Sequence, residues 1–273
     1  MKRLSLAFLF VIFFINSANS AVVDTLSVFS NIMNKEIKVV IVKPETYNVN
    51  QSLPVLYLLH GYSDRYDGWV QRVPSILELA DLHNIYIVCP DGGFDSWYWD
   101  SPVDPNNQYE TFITKELVKR IDEDYKTIAS REGRAITGLS MGGHGGLYLG
   151  IKNQDIYGAC GSMSGGVDIR PFPNNWGMNK YIGTQSENPE NWNNYTVMGL
   201  LHLLTPDNLK IIIDCGRDDF FYGVNEELHK ELLYRNIPHD YIIRPGVHNW
   251  EYWSNAIKFQ TLFFKEYFKS VNK

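Results

Sequence analysis

Apolar and polar positions divide the chain into short segments of two kinds. Residues 22–29 and 37–42 alternate roughly, as strands with one solvated face do. The turn-rich stretch 31–35 joins them as an antiparallel hairpin at a sheet edge. Leu53-Pro54-Val55-Leu56-Tyr57-Leu58-Leu59 is nearly all apolar, which fits a central strand buried on both faces. Residues 85–89, 135–138, 159–163, 209–215 and 241–244 are further strand candidates. Between them, the segments 73–83, 109–125, 141–153, 225–235 and 250–268 read as helices. In 109–125, Phe112, Leu117, Ile121 and Tyr125 fall on related turns. Strand and helix alternate along the chain. That pattern predicts an α/β fold, a mostly parallel central sheet with helices on both faces. Ligands bind such sheets beyond the carboxyl ends of the strands.

The rhythm fails in one place. Residues 167–208 are rich in Asn, Pro and Trp and too long for a simple connection, so a lid-like insertion beside the site is expected. A shorter irregular loop, 94–108, carries Trp97, Tyr98 and Trp99.

The N-terminus reads as a targeting segment. Lys2 and Arg3 precede an apolar run over 4–15, and Ala18 and Ser20 place small residues where a signal peptidase reads. The expectation is a signal peptide over 1–20, cut before Ala21, and a secreted or periplasmic protein with a single domain over 21–273. The apolar run is too short to span a bilayer comfortably, and no Cys near the cut offers a lipid attachment point. No stable membrane anchor is expected after cleavage.

Composition narrows the chemistry. The chain of 273 residues suits one large α/β domain, and a net charge of -6 with no basic run argues against nucleic acid. Cys89, Cys160 and Cys215 each close an apolar run, so they read as buried small hydrophobes rather than a disulfide framework. The sequence holds no zinc-binding pattern, EF-hand, phosphate loop or dinucleotide fingerprint, so neither metal nor cofactor is expected.

One stretch does carry chemistry. Gly138-Leu139-Ser140-Met141-Gly142 joins a short apolar strand to a small-residue helix. This is the layout of a nucleophile elbow. Its serine sits in a strained turn, and side chains at the flanking glycines would collide with the neighbouring strand and helix. A serine hydroxyl needs a base and a group to orient that base. His248, just past the strand 241–244 and the turn Pro245-Gly246-Val247, is the candidate base. Asp214, Asp218 and Asp219 compete for the acid, and their placement does not separate the last two. The order Ser, Asp, His is that of α/β-hydrolases. The backbone N–H of Met141 and that of Tyr62, after the central strand, are the candidate oxyanion donors. His144, on the same helix as Ser140, reads as packing. His60 belongs to the loop that carries Tyr62.

Four blocks in order resemble the esterase D-like α/β-hydrolases, a family with feruloyl and acetylxylan esterases, tributyrin esterases, S-formylglutathione hydrolases and mycolyltransferases. They are Leu58-Leu59-His60-Gly61-Tyr62, Gly138-Leu139-Ser140-Met141-Gly142-Gly143, Cys215-Gly216-Arg217-Asp218-Asp219 and Gly246-Val247-His248-Asn249-Trp250. The resemblance selects Asp219 as the acid. It implies a serine carboxylesterase working through an acyl-enzyme, closest to secreted carbohydrate esterases, with a feruloyl or acetyl ester of a polysaccharide as substrate. Acyl transfer of the mycolyltransferase type, and a non-catalytic binding protein on the same fold, are the rival readings. Trp97, Trp99, Trp176 and Tyr181 are candidate substrate contacts, with ordinary packing the competing reading for each.

Overall fold

The computed structural model describes residues 21–45 and 51–271. The expected signal segment, 1–20, lies outside the described residues. Eight strands form one sheet: β1 (Val22–Ser30), β2 (Lys35–Lys43), β3 (Val55–Leu59), β4 (Tyr86–Pro90), β5 (Arg134–Gly138), β6 (Ala159–Met163), β7 (Lys210–Gly216) and β8 (Asp240–Arg244). Their order across the sheet is β1-β2-β4-β3-β5-β6-β7-β8. The edge hairpin is antiparallel, with Val28 opposite Ile37, and β2 also runs antiparallel to β4. The remaining pairings, from β4 to β8, are parallel. This is the α/β-hydrolase architecture that the pattern and the resemblance imply.

The chain leaves β3 for β4 on one side, then returns to form β5 on the other. The sheet therefore has a topological switch at β3, and the crevice beyond it is where such folds bind ligands. In register, Leu59 lies opposite Gly138, Met163 opposite Asp214, and Gly216 opposite Arg244. The last residues of β3 and β5 thus share one rim with the ends of β6, β7 and β8.

Alternation along β3 feeds two cores. Val55, Tyr57 and Leu59 pack with the helix Met141–Lys152 on one face. Leu56 and Leu58 pack with the helices Ser75–His83 and Trp250–Val271 on the other. The helix Met141–Lys152 is buried from Met141 to Ile151, and its glycines let it lie close on β5 and β6.

Three expectations change in detail. The helix expected over 73–83 is Ser75–His83, and a short helix that was not expected, Gly68–Arg72, precedes it and stops before Pro74, which has no N–H to continue it. The helix expected over 109–125 contains a wider π-helical turn, Phe112–Leu117. That turn brings the adjacent side chains Phe112, Ile113 and Thr114 all into the interior. The stretch 167–208 contains the short helices Asn179–Ile182 and Pro189–Asn194 and the 3₁₀ segment Val197–Leu203. Met178, Ile182, Trp192, Val197 and Leu201 sink into the same core as the helix Met141–Lys152. The insertion is a packed layer, and only part of it overhangs the cleft. The three cysteines are buried and free, and burial pushes their thiol pKa values up, away from reactive thiolates.

Candidate active site

Ser140 sits between β5 and the helix that begins at Met141, with φ 55° and ψ −116°. An L-residue adopts that backbone only where its surroundings impose it. The surroundings do so by close approach. A Cβ on Gly138 would lie 2.6 Å from the carbonyl oxygens of Leu59 and Gly142. One on Gly142 would lie 2.5 Å from the oxygen of His60. Only glycine fits either place. The elbow is pinned further by the Ser140 N–H, which donates to the Met163 carbonyl at 2.9 Å.

The loops after β7 and β8 are tied together by main-chain hydrogen bonds. Arg217 N–H donates to the Arg244 carbonyl at 2.9 Å, and Asp218 N–H to that of Gly246 at 3.0 Å. This pairing brings the acid loop to the base loop. The His248 Nδ1 lies 2.8 and 3.0 Å from the two carboxylate oxygens of Asp219. Its Nε2 lies 2.9 Å from the Ser140 hydroxyl oxygen. A carboxylate only accepts, so Nδ1 carries the proton and Nε2 is left to accept from the serine. The Asp219 side chain is fully buried, and it also accepts the Phe221 N–H at 2.8 Å.

The other two carboxylates stand elsewhere. Asp218 is exposed. Asp214 is buried inside β7 and accepts from Arg244 and the Tyr252 hydroxyl, each at 2.5 Å. The structure therefore joins Asp219, and neither alternative, to His248.

Gly61 and Tyr62 face Ser140 across the cleft. Among the described residues, neither the Tyr62 N–H nor the Met141 N–H is paired with a protein acceptor. Both are free to receive an oxyanion. Met141 itself is anchored by its sulfur, which accepts the Trp97 N–H at 3.4 Å.

The cleft has a volume of about 400 Å³ and aromatic walls. Trp176, Phe220, Trp250 and Trp253 line it with Tyr62, around Ser140 and His248. Phe220 stacks on Trp176 with ring centres 6.0 Å apart, and Trp253 meets the His248 ring edge-on at 4.9 Å. The Arg72 guanidinium lies 4.9 Å over the Trp250 ring and bonds Asp64 at 2.8 Å, which holds that wall in place.

Of the four aromatic residues expected at the substrate, Trp176 alone lines this cleft. Trp97 and Trp99 are corrected: they are 1% and 0% exposed and stack on each other. Both rings meet His144 edge-on, and the Trp99 indole N–H donates to its Nε2 at 2.9 Å. The His144 Nδ1 donates in turn to the Gly166 carbonyl at 3.0 Å, so His144 is a packed, fully bonded core residue. Tyr181 is corrected as well. Its hydroxyl bonds Asp95 at 2.5 Å, and it lines a separate polar cavity with Lys35 and Tyr109. Phe220, Trp250 and Trp253 were missed. The available signal was adjacency, since Phe220 follows Asp219 and Trp250 follows His248 by two residues.

Comparison with known proteins agrees with this geometry. A family model described as "Putative esterase" matches residues 30–263. An acetyl esterase of Caldicellulosiruptor saccharolyticus is 27% identical over 229 residues, 76% of this chain and 82% of that protein. The S-formylglutathione hydrolase of Mus musculus is 26% identical over 200 residues, 66% of this chain and 69% of that one. Among solved structures, a ferulic acid esterase superposes with a TM-score of 0.78 at 28% identity, over 91% of this chain and all of that one.

Proposed function

We infer the chemistry from one premise: the chain belongs to this esterase family and is a carboxylesterase. We propose that Ser140, His248 and Asp219 are its catalytic triad. The observation that carries this reading is the continuous line of hydrogen bonds from Asp219 through His248 to the Ser140 hydroxyl.

In the proposed reaction, the Ser140 oxygen attacks the ester carbonyl carbon while His248 Nε2 takes the serine proton. The buried Asp219 carboxylate orients the ring and stabilises the imidazolium. Negative charge moves onto the former carbonyl oxygen, which the N–H groups of Tyr62 and Met141 receive. Collapse re-forms the carbonyl and breaks the bond to the alcohol, and the imidazolium gives its proton to the leaving alcohol oxygen. Water then repeats the sequence on the acyl-enzyme, releasing the acid and restoring Ser140. Each oxyanion donor is worth about 2.7–4 kcal/mol of transition-state stabilisation.

The proposed substrates are carbohydrate-linked feruloyl or acetyl esters. Three things support this. The cleft walls are aromatic, and flat rings pack well against an aryl acid or a sugar face. One solved structure of similar fold, 28% identical, is a ferulic acid esterase. A curated relative is an acetyl esterase. We further propose export, on the strength of Lys2, Arg3 and the apolar run that follows them.

The test is an activity panel of methyl ferulate, acetylated xylan and short p-nitrophenyl esters, run on wild type and on Ser140→Ala. The triad reading expects turnover by wild type and its near-complete loss in the variant. Equal activity of the two would remove Ser140 from the mechanism.

A further inference from the structure

His60 lies at the carboxyl end of β3, is 1% exposed and takes no part in the reaction above. Its two ring nitrogens meet opposite kinds of partner. Nδ1 is 2.8 Å from the carbonyl oxygen of Gly61. Nε2 is 2.7 Å from the backbone N–H of Gly92. A carbonyl only accepts and an amide N–H only donates. Both bonds exist together only for a neutral ring with its proton on Nδ1. Burial lowers the pKa of this ring, which favours that neutral form. The His60 main chain is held too, since its carbonyl accepts the Tyr98 hydroxyl at 3.0 Å.

The Gly61 carbonyl and the Tyr62 N–H belong to one peptide unit. That unit is planar, and in the trans form its C=O and N–H point in opposite directions. A bond that grips the oxygen therefore aims the N–H, and of its two donors the His60 ring at 2.8 Å is closer than the Asp64 N–H at 3.3 Å. We propose that His60 is a positioning residue that orients the Gly61–Tyr62 peptide and so directs the Tyr62 N–H at the oxyanion. The proposal rests on the esterase reading, with that N–H as a donor. An oxyanion donor counts through its alignment before the reaction begins, and loss of one costs about 10²–10³ in kcat. Gly92 and Tyr98 make the neighbouring loop part of the same brace.

Two near-isosteres separate the roles of the two nitrogens. In His60→Asn the amide nitrogen takes the place of Nδ1 and still donates to the Gly61 oxygen. In His60→Gln the side-chain oxygen reaches the Gly92 N–H, and the Gly61 oxygen keeps only the longer bond from the Asp64 N–H, at 3.3 Å. Full-length protein is assayed on a p-nitrophenyl ester for kcat and KM. Its affinity is measured for a trifluoromethyl ketone, whose hemiketal with Ser140 places an oxyanion in the same hole. Thermal midpoints are recorded alongside.

The expected result is that His60→Asn keeps kcat within an order of magnitude of wild type. His60→Gln loses about 10²-fold in kcat at unchanged KM, with a matching loss of ketone affinity. Equal losses in the two variants, losses that follow the thermal midpoint, or a change confined to KM would overturn the proposal. So would two variants as active as wild type. The wild-type protein gives an independent readout by ¹⁵N NMR of the His60 ring. A proton on Nε2, or a doubly protonated ring near neutral pH, would overturn the proposal even if neither variant folds. Wild type inert toward every ester would overturn the esterase reading and this one with it. Active wild type with either contrary result would overturn this one alone.

Discussion

The Phe220 ring lies 4.1 Å, centre to centre, from the His248 imidazole, tilted by 38°. Phe220 is 55% exposed, so it contributes little to the core and stands as a cover over the base. In the proposed reaction the imidazole becomes a cation in the transition state, and an aromatic face attracts a cation by about 0.5–1 kcal/mol at such a site. Phe220→Leu keeps an apolar cover and removes that face. It is expected to lower kcat/KM by about 2–5-fold, with the thermal midpoint nearly unchanged. Steady-state kinetics on a small ester that does not reach Trp176 gives the comparison, and an unaltered kcat/KM would refute it.

Neighbouring aspartates should behave very differently. Asp219 is buried against His248, while Asp218, one residue earlier, is exposed. Asp219→Asn would favour the wrong tautomer of His248 while keeping its shape. The expected loss is about 10⁴ in kcat. Asp218→Asn is expected to stay within about 0.5 kcal/mol of wild type in stability and to keep its activity. Parallel kcat measurements decide the matter, and similar losses in both would contradict the assignment of the acid.

His144 predicts a pH dependence of stability. Burial holds its pKa down at about 4. In the unfolded chain a histidine titrates near 6.5. The unfolded state thus binds the proton first as pH falls. The contribution of His144 is fully present above about pH 6.5, and it is lost progressively as pH falls toward 4. The total is about 3 kcal/mol, at no more than about 1.4 kcal/mol per pH unit. His144→Gln is expected to be less stable than wild type at pH 7 and to show a shallower decline on acidification. Urea titrations at pH 7 and pH 5 provide the readout. An identical decline for both proteins would show that this ring is not the group responsible.

Trp176 and Trp97 should separate binding from folding. Trp176 lines the cleft, whereas Trp97 is sealed in the core beneath it. Trp176→Ala is expected to raise KM for methyl ferulate more than for a short acetyl ester, with the fold retained. Trp97→Ala removes a fully packed indole and is expected to cost about 3–5 kcal/mol of stability. Kinetics on both esters, with thermal midpoints, distinguishes the two. Equal KM shifts for the two esters in Trp176→Ala would argue against aryl recognition by this wall.

Much of this was legible along the chain because its causes are local. The apolar run ending at Leu59 fitted a buried central strand, and β3 occupies Val55–Leu59. The glycines around Ser140 announced a strained turn, and the clash distances at Gly138 and Gly142 supply the reason. The aromatic contacts were less legible. A tryptophan carries the same signal whether it faces a cleft or a core, and Trp97 and Trp99 were drawn inward by His144, a partner 45 residues from Trp99.

By itself the sequence determined the main strands and helices, their alternation, the elbow and the order in which serine, acid and base occur. These follow from side-chain period, backbone sterics and turn chemistry, all of which act over a few residues. Residue pattern left Asp218 and Asp219 open and the resemblance selected Asp219, whereas only the tertiary structure decided which rings wall the cleft and that the His60 ring grips the Gly61 peptide. Ser140 and His248 are 108 positions apart, and they meet because parallel strands of one sheet end on a common rim. Contacts of that range depend on strand register and on how loops bond across the rim, which no local pattern encodes.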